Sequence, residues 1–222
     1  MAIKYLLSGP DKDKGFEGEL ISLLKGDLNG KKKLVAIAST PDDYETNDKY
    51  FNVGKVWFEN LNTTLDEYFL LDNRINKQQA IKYLNSADII YLMGGNPFTQ
   101  FDYLVKNGFD CILRQVDGII LGVSAGSINM AKKAYYSKDE DYPETIIYDG
   151  IGLVDITIDP HFDNCCLEQV SEALKSSYIH EIIGLPNASA IRITKEGELN
   201  YIGECYRIRD GKNNEVEKQK SK

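Results

Sequence analysis

The stretch Gly118-Ile-Ile-Leu-Gly-Val-Ser-Ala-Gly-Ser-Ile-Asn-Met130 constrains the fold more than any other part of the chain. It opens with a short apolar run, Ile119 to Leu121, β-branched enough for a strand buried on both faces. The run leads into Gly122-Val123-Ser124-Ala125-Gly126, a G-x-S-x-G pattern that puts a serine on a sharp strand-to-helix turn. Such a turn strains the serine backbone by about 1–3 kcal/mol. The flanking glycines remove the Cβ atoms that would collide with the neighbouring strand or helix. Residues 127 to 133 read as the helix beyond the turn. Its first N–H groups and positive dipole end would point at Ser124 Oγ. A buried structural serine would satisfy the same five residues, so the rest of the chain has to decide.

Upstream, strand patterns at 4–8, 34–38, 65–71 and 87–93 alternate with helical patterns at 17–24, 43–61, 77–84 and 97–106. Tyr44, Phe51, Val56 and Trp57 are the expected apolar face of the second helix. Phe101, Leu104 and Val105 are that of the fourth, which starts with Pro97 where a missing N–H costs nothing. This alternation predicts an α/β fold with a mostly parallel central sheet and helices on both faces. Beyond the turn the pattern changes. Residues 135 to 148 carry an acidic run and read as a surface loop. A strand is expected at 152–159, a helix at 167–174, and short strands at 182–185, 190–194, 199–202 and 206–209. Residues 1–210 are expected to form one α/β domain, and residues 211–222 a polar, frayed tail.

The 222 residues suffice for a large core, since a chain of this size buries roughly 70–75% of its extended surface. A net charge of −8 argues against nucleic acid or an anionic membrane as partner. No apolar run approaches the ~20 residues of a membrane span, and the N-terminus lacks a leader pattern. A cytoplasmic protein, monomeric or homodimeric, is the expectation. The four cysteines show neither a C-x-x-C pair nor zinc-site spacing, which predicts reduced thiols. Cys165 and Cys166 read as packing residues at a helix start. With no phosphate loop or metal cluster in the pattern, no cofactor and no metal are expected.

A serine hydroxyl becomes nucleophilic only with a base in hydrogen-bond reach, itself oriented by a third group. The chain has two histidines. His161, in Asp159-Pro-His-Phe-Asp163, follows an expected strand end, as Ser124 does. Strand ends are where the loops of an open α/β sheet converge on one crevice. His161 is therefore the candidate base, and His180 a surface or packing residue. An oxyanion would need two preorganised donors. The Ala125 N–H is one candidate. The loop Gly94-Gly95-Asn96, whose glycines let backbone approach a ligand, is the other.

Three of these segments, Gly94-Gly-Asn-Pro-Phe98, Gly122-Val-Ser-Ala-Gly-Ser127 and Pro160-His-Phe-Asp163, together resemble the dipeptidase E-like serine peptidase family, relatives of cyanophycinase. Gly184-Leu-Pro186 is a fourth match, and the similarity spans roughly residues 1–209. The resemblance implies a fold like that of class I glutamine amidotransferases, with serine in place of the elbow cysteine. It also implies hydrolysis of a small peptide at an N-terminal acidic residue, with Ser124 as nucleophile and His161 as base.

The chain departs from the family pattern twice. Asn187 stands after Gly-Leu-Pro, where the family commonly has a carboxylate. The resemblance offers Asp139, in the acidic loop, as another third member, and Asp141 lies close by. An asparagine can also orient an imidazole, though without charge. Second, the family's substrate-binding arginine has no counterpart, since the first arginine after His161 is Arg192. Two further readings remain open at this level. One is a catalytically weakened binding or regulatory protein on the same scaffold. The other is an esterase of α/β-hydrolase type, against which the chain order of the histidine argues.

Overall fold

The computed structural model describes residues 1–216. The first half alternates as follows: β1 (Ile3–Leu7), α1 (Glu19–Asp27), β2 (Lys33–Ile37), α2 (Tyr44–Glu59), β3 (Glu67–Leu71), α3 (Lys77–Ser86), β4 (Ile89–Leu92), α4 (Pro97–Asn107), α5 (Phe109–Leu113), β5 (Ile119–Val123) and α6 (Ala125–Met130). The second half adds β6 (Lys133–Tyr136), β7 (Ile146–Asp149), β8 (Thr157–Pro160), α7 (Leu167–Ser176), β9 (Ile182–Leu185), β10 (Ala190–Ile193), β11 (Leu199–Ile202), β12 (Tyr206–Arg209) and β13 (Lys212–Glu215).

The central sheet has the order β11-β10-β1-β5-β4-β2-β3. Strands β1 to β5 are mutually parallel, and the antiparallel pair β10 and β11 closes one edge. Period-two alternation sorts its side chains into two cores. Tyr5, Leu7, Leu34, Ala36, Ile89 and Tyr91 pack with Leu20 and Leu24 of α1 and with Trp57 and Phe58 of α2. Leu6, Val35, Ile37, Ile90, Leu92 and Ile120 face the opposite side, against Leu84 of α3, Leu104 of α4 and Phe109 of α5. Near-continuous apolar strands follow from burial on both faces, as the sequence pattern implies. Side-chain caps start three helices. Asp43, Asn76 and Asn96 accept from backbone N–H groups at the N-termini of α2, α3 and α4.

A second sheet, β13-β12-β9-β8, holds the later short strands, with β8 and β9 parallel. Several expectations are corrected here. Tyr44 and Val56 of α2 and Val105 of α4 are exposed rather than inward, and Phe58 fills the core instead. α6 ends at Met130, three residues short of the expected 133, because the chain leaves it into β6. The segment read as a loop from 135 to 148 overlaps the paired strands β6 and β7, with Tyr135 fully buried. Residues 212–215, read as the start of a frayed tail, pair with β12, while 217–222 lie outside the described residues. Cys165 and Cys166 precede α7 but are exposed, so they do not pack. Among the described residues no helix is long and apolar enough to cross a membrane.

Candidate active site

Ser124 sits at the C-terminal end of β5, with φ 49° and ψ −110°. No ordinary L-residue region covers that pair of angles, so the turn is strained. Close packing enforces it. A Cβ on Gly126 would lie 2.2 Å from the Leu92 carbonyl oxygen on β4, and one on Gly122 would lie 2.6 Å from the Ser127 nitrogen. The elbow glycines are thus required by contact with backbone, which cannot move aside. The Ser124 N–H donates to the Leu7 carbonyl (2.9 Å). Ser127 Oγ ties the helix start to the same residue, donating to its carbonyl (2.8 Å) and accepting from its N–H (2.9 Å).

His161 follows β8, and Asn187 follows β9, the parallel neighbour of β8. Their side chains meet at the elbow. His161 Nε2 is 2.9 Å from Ser124 Oγ, and His161 Nδ1 is 2.6 Å from Asn187 Oδ1. An amide oxygen accepts, so Nδ1 carries the ring proton and the Nε2 lone pair faces the serine hydroxyl. His161 has a positive φ of 57°, uncommon for a non-glycine residue. The Ser8 hydroxyl, just past β1, holds it there by accepting from the His161 N–H (2.7 Å). Gly9 makes room for the ring, since a Cβ there would sit 2.7 Å from His161 Cε1.

The Gly94–Asn96 loop leaves β4 beside the serine. An ideal Cβ on Gly94 would be 3.6 Å from Ser124 Cβ. Gly95 has φ 133°, and Ser39 from the end of β2 pins the loop by donating to the Gly94 carbonyl (2.7 Å). Ala125 opens α6, so its N–H belongs to the first turn, where helices leave donors without an intrahelical partner. Asn96 Oδ1 is committed to capping α4, accepting from Phe98 and Thr99, while its Nδ2 donates to the Tyr142 hydroxyl (3.1 Å).

The structure thus brings Ser124, His161 and Asn187 into one hydrogen-bonded chain and leaves Asp139 out of it. The Asp139 carboxylate accepts from the Tyr136 hydroxyl and from the N–H groups of Asp141 and Tyr142, shaping its own loop. That loop leans on the site through aromatic contacts of Tyr136 and Tyr142 with Phe98. Sequence reasoning missed Ser8, Gly9 and Ser39. The signal was present, since each lies just past a strand end like the residues that were found. The first arginine after the histidine, Arg192, lies in β10 and forks onto both carboxylate oxygens of Asp27 at 2.7 and 2.8 Å.

The model of peptidase family S51 matches residues 6–200. An uncharacterized peptidase of Listeria monocytogenes is 25% identical over 183 residues, 78% of this chain and 87% of the relative. One of Listeria innocua is 26% identical over 186 residues, 80% and 87% of the two chains. A crystal structure from Listeria monocytogenes assigned as a peptidase E superposes with a TM-score of 0.67 at 25% identity, over 91% of this chain and all of that one. A peptidase from an acI-B1 actinobacterium shares the fold with a TM-score of 0.71 at 15% identity, over 99% and 96% of the two chains. With the elbow serine, its histidine and a family match over most of its length, the chain belongs to peptidase family S51 and is a serine-type peptidase.

Proposed function

We propose that the chain hydrolyses short peptides through an acyl-enzyme formed on Ser124. His161 Nε2 takes the hydroxyl proton as Ser124 Oγ attacks the scissile carbonyl, and passes it to the departing amine. Water then repeats the sequence on the ester and restores the serine. Asn187 keeps the ring in the tautomer that leaves Nε2 free. The N–H groups of Ala125 and Gly95 serve as oxyanion donors, each worth roughly 2.7–4 kcal/mol in sites of this type. The observation that carries the reading is the chain Ser124–His161–Asn187, at 2.9 and 2.6 Å.

The substrate is a short peptide without an acidic first residue. Arg192 is held by Asp27, and the loop beside the site carries Asp139, Glu140 and Asp141. Like charges at that rim disfavour an acidic side chain. Exposed thiols at Cys165 and Cys166 fit a reducing, cytoplasmic setting. The test is fluorophosphonate labelling with intact-mass detection, followed by a peptide library. Label and turnover are expected to vanish in Ser124→Ala while the melting curve is unchanged. Turnover retained in that variant sinks the reading, and absence of any label in a folded wild-type chain favours the weakened binding protein.

A further inference from the structure

Asp159 is an acid of the histidine segment that the mechanism does not use. It lies on β8 two residues before His161 and is completely buried. Its carboxylate accepts from the Ser137 hydroxyl (2.9 Å) on one oxygen and from Gln169 Nε2 (3.1 Å) on the other. No lysine or arginine is among its hydrogen-bond partners in the described residues. Each partner belongs to a different wall of the site. Ser137 begins the loop that continues through Asp139 to Tyr142, which reaches Asn96. Gln169 belongs to α7, and its Oε1 accepts from the Asp163 N–H (2.8 Å), in the turn directly after His161.

We propose that Asp159 is a positioning residue whose charged carboxylate ties the His161 strand end to the loop at 137–142 and to the turn at 163–169, so that its protonation slackens the site. The proposal rests on the serine–histidine reading above. Its logic is a donor count. A carboxylate accepts from both neighbours at once. A carboxylic acid has one oxygen that must donate. The Gln169 amide cannot turn to receive that proton without aiming its NH2 at the Asp163 N–H. On protonation the Ser137 hydroxyl has to reverse and accept from the acid, and both tethers lose their charge assistance. His161 is sensitive to such a loss because its backbone is held at positive φ by its surroundings.

Burial pushes the Asp159 carboxyl up to about 7, against the smaller opposing pull of the two hydrogen bonds. Tyr135 of β6 couples to it, but burial drives that phenol upward and keeps it neutral. Lys133 of β6 is paired with Asp149 at the surface. β9 presents Gly184 at the paired position, and α6 has no ionisable side chain. On α7, Glu172 is paired with Lys175, and Glu168 with Lys138. His161 itself is the remaining titratable neighbour.

The experiment follows the fluorophosphonate labelling rate of Ser124 from pH 5 to 9. In parallel, NMR follows the Gln169 side-chain amide and the His161 ring, the latter separated from His180 by its loss in His161→Ala. In the wild-type chain, the labelling rate is expected to rise on a two-proton acid limb, and the Gln169 amide and the His161 ring to share a step near pH 7. In Asp159→Asn the limb is expected to become one-proton, the shared step to vanish, and labelling at pH 8 to slow about tenfold, the scale of one lost charge-assisted hydrogen bond. Ser137→Ala removes a donor that favours the carboxylate, so it should move the limb to higher pH, which general destabilisation would not do. It also serves if Asp159→Asn fails to fold. A one-proton limb in the wild type, or a limb unmoved in Ser137→Ala, overturns the proposal. If the wild type takes no label, the serine reading falls, and a His161 ring that does not report the Gln169 step overturns this proposal separately.

Discussion

The two halves of the site are held by different means. The elbow half is positioned by main chain against main chain. Gly126 lies over the Leu92 carbonyl, and Ser124 and Ser127 bond to the backbone of Leu7. The histidine half comes from the smaller sheet and is positioned by side chains, through Ser8 Oγ, Asn187 Oδ1 and the two tethers of Asp159. A strained nucleophile needs a support that cannot yield, and backbone packed without a Cβ supplies it. A proton carrier needs tunable chemistry, and polar side chains around an exposed ring supply that. The first arrangement tolerates no added atom. The second should tolerate substitution while changing rate and pH dependence.

The largest expected effect concerns pH and stability on the histidine side. The folded chain binds the Asp159 proton more tightly than the unfolded chain, where the carboxyl keeps its ordinary value of 3.8. Its contribution to stability is full below about pH 4, is lost as pH rises towards 7, and is flat above that. At about 1.4 kcal/mol per pH unit the difference is on the order of 4 kcal/mol. Urea titrations from pH 4 to 8 should show this decline in the wild type and not in Asp159→Asn. A parallel decline in both chains would place the titrating group elsewhere. The elbow side should answer instead to volume. Gly126→Ala puts a Cβ against the Leu92 carbonyl and is expected to cost about 3 kcal/mol, with loss of labelling, in denaturant titration. An unchanged midpoint would mean that the strand and helix can part after all.

Smaller effects separate rate from stability. Gly9→Ala is expected to displace the His161 ring and slow labelling about 100-fold, the cost of a misplacement near 1 Å, with little change in melting temperature. A large fall in melting temperature would instead show the histidine side to be as rigid as the elbow. Asn187→Ala should slow labelling about tenfold, for one lost orienting hydrogen bond. Asn187→Asp should recover that rate and move the acid limb upward, since a carboxylate beside the imidazole favours its charged form. A limb that moves downward, or stays, would contradict the side-chain tuning of this half.

Much of this was legible in the sequence because local rules carry it. Apolar runs alternating with helical spacing predicted the parallel sheet, and the glycines around Ser124 predicted its turn. His161 was singled out by its strand-end position, and Asn187 by the family resemblance. The misreadings arose where tertiary contact overrides local pattern. The acidic run at 138–144 masked β6 and β7, because Tyr135 is buried only once β8 packs beside it. Val56 and Val105 are apolar at helical spacing yet exposed, because the faces they occupy meet no second layer.

By itself, then, the sequence determined the strand–turn–helix at Ser124, the two-sided core and the few residues able to act as base. Glycine, β-branched residues and spacing act within a dozen positions, and their physics is local. Only the tertiary structure decided between Asn187 and Asp139 as the partner of His161, because the choice depends on which strand end lies beside β8. It alone also placed Ser8 and Gly9 on the histidine, 153 positions away in the case of Ser8, and buried Asp159 between two tethers. Contacts at that separation are set by how sheets pack, and no local pattern encodes them.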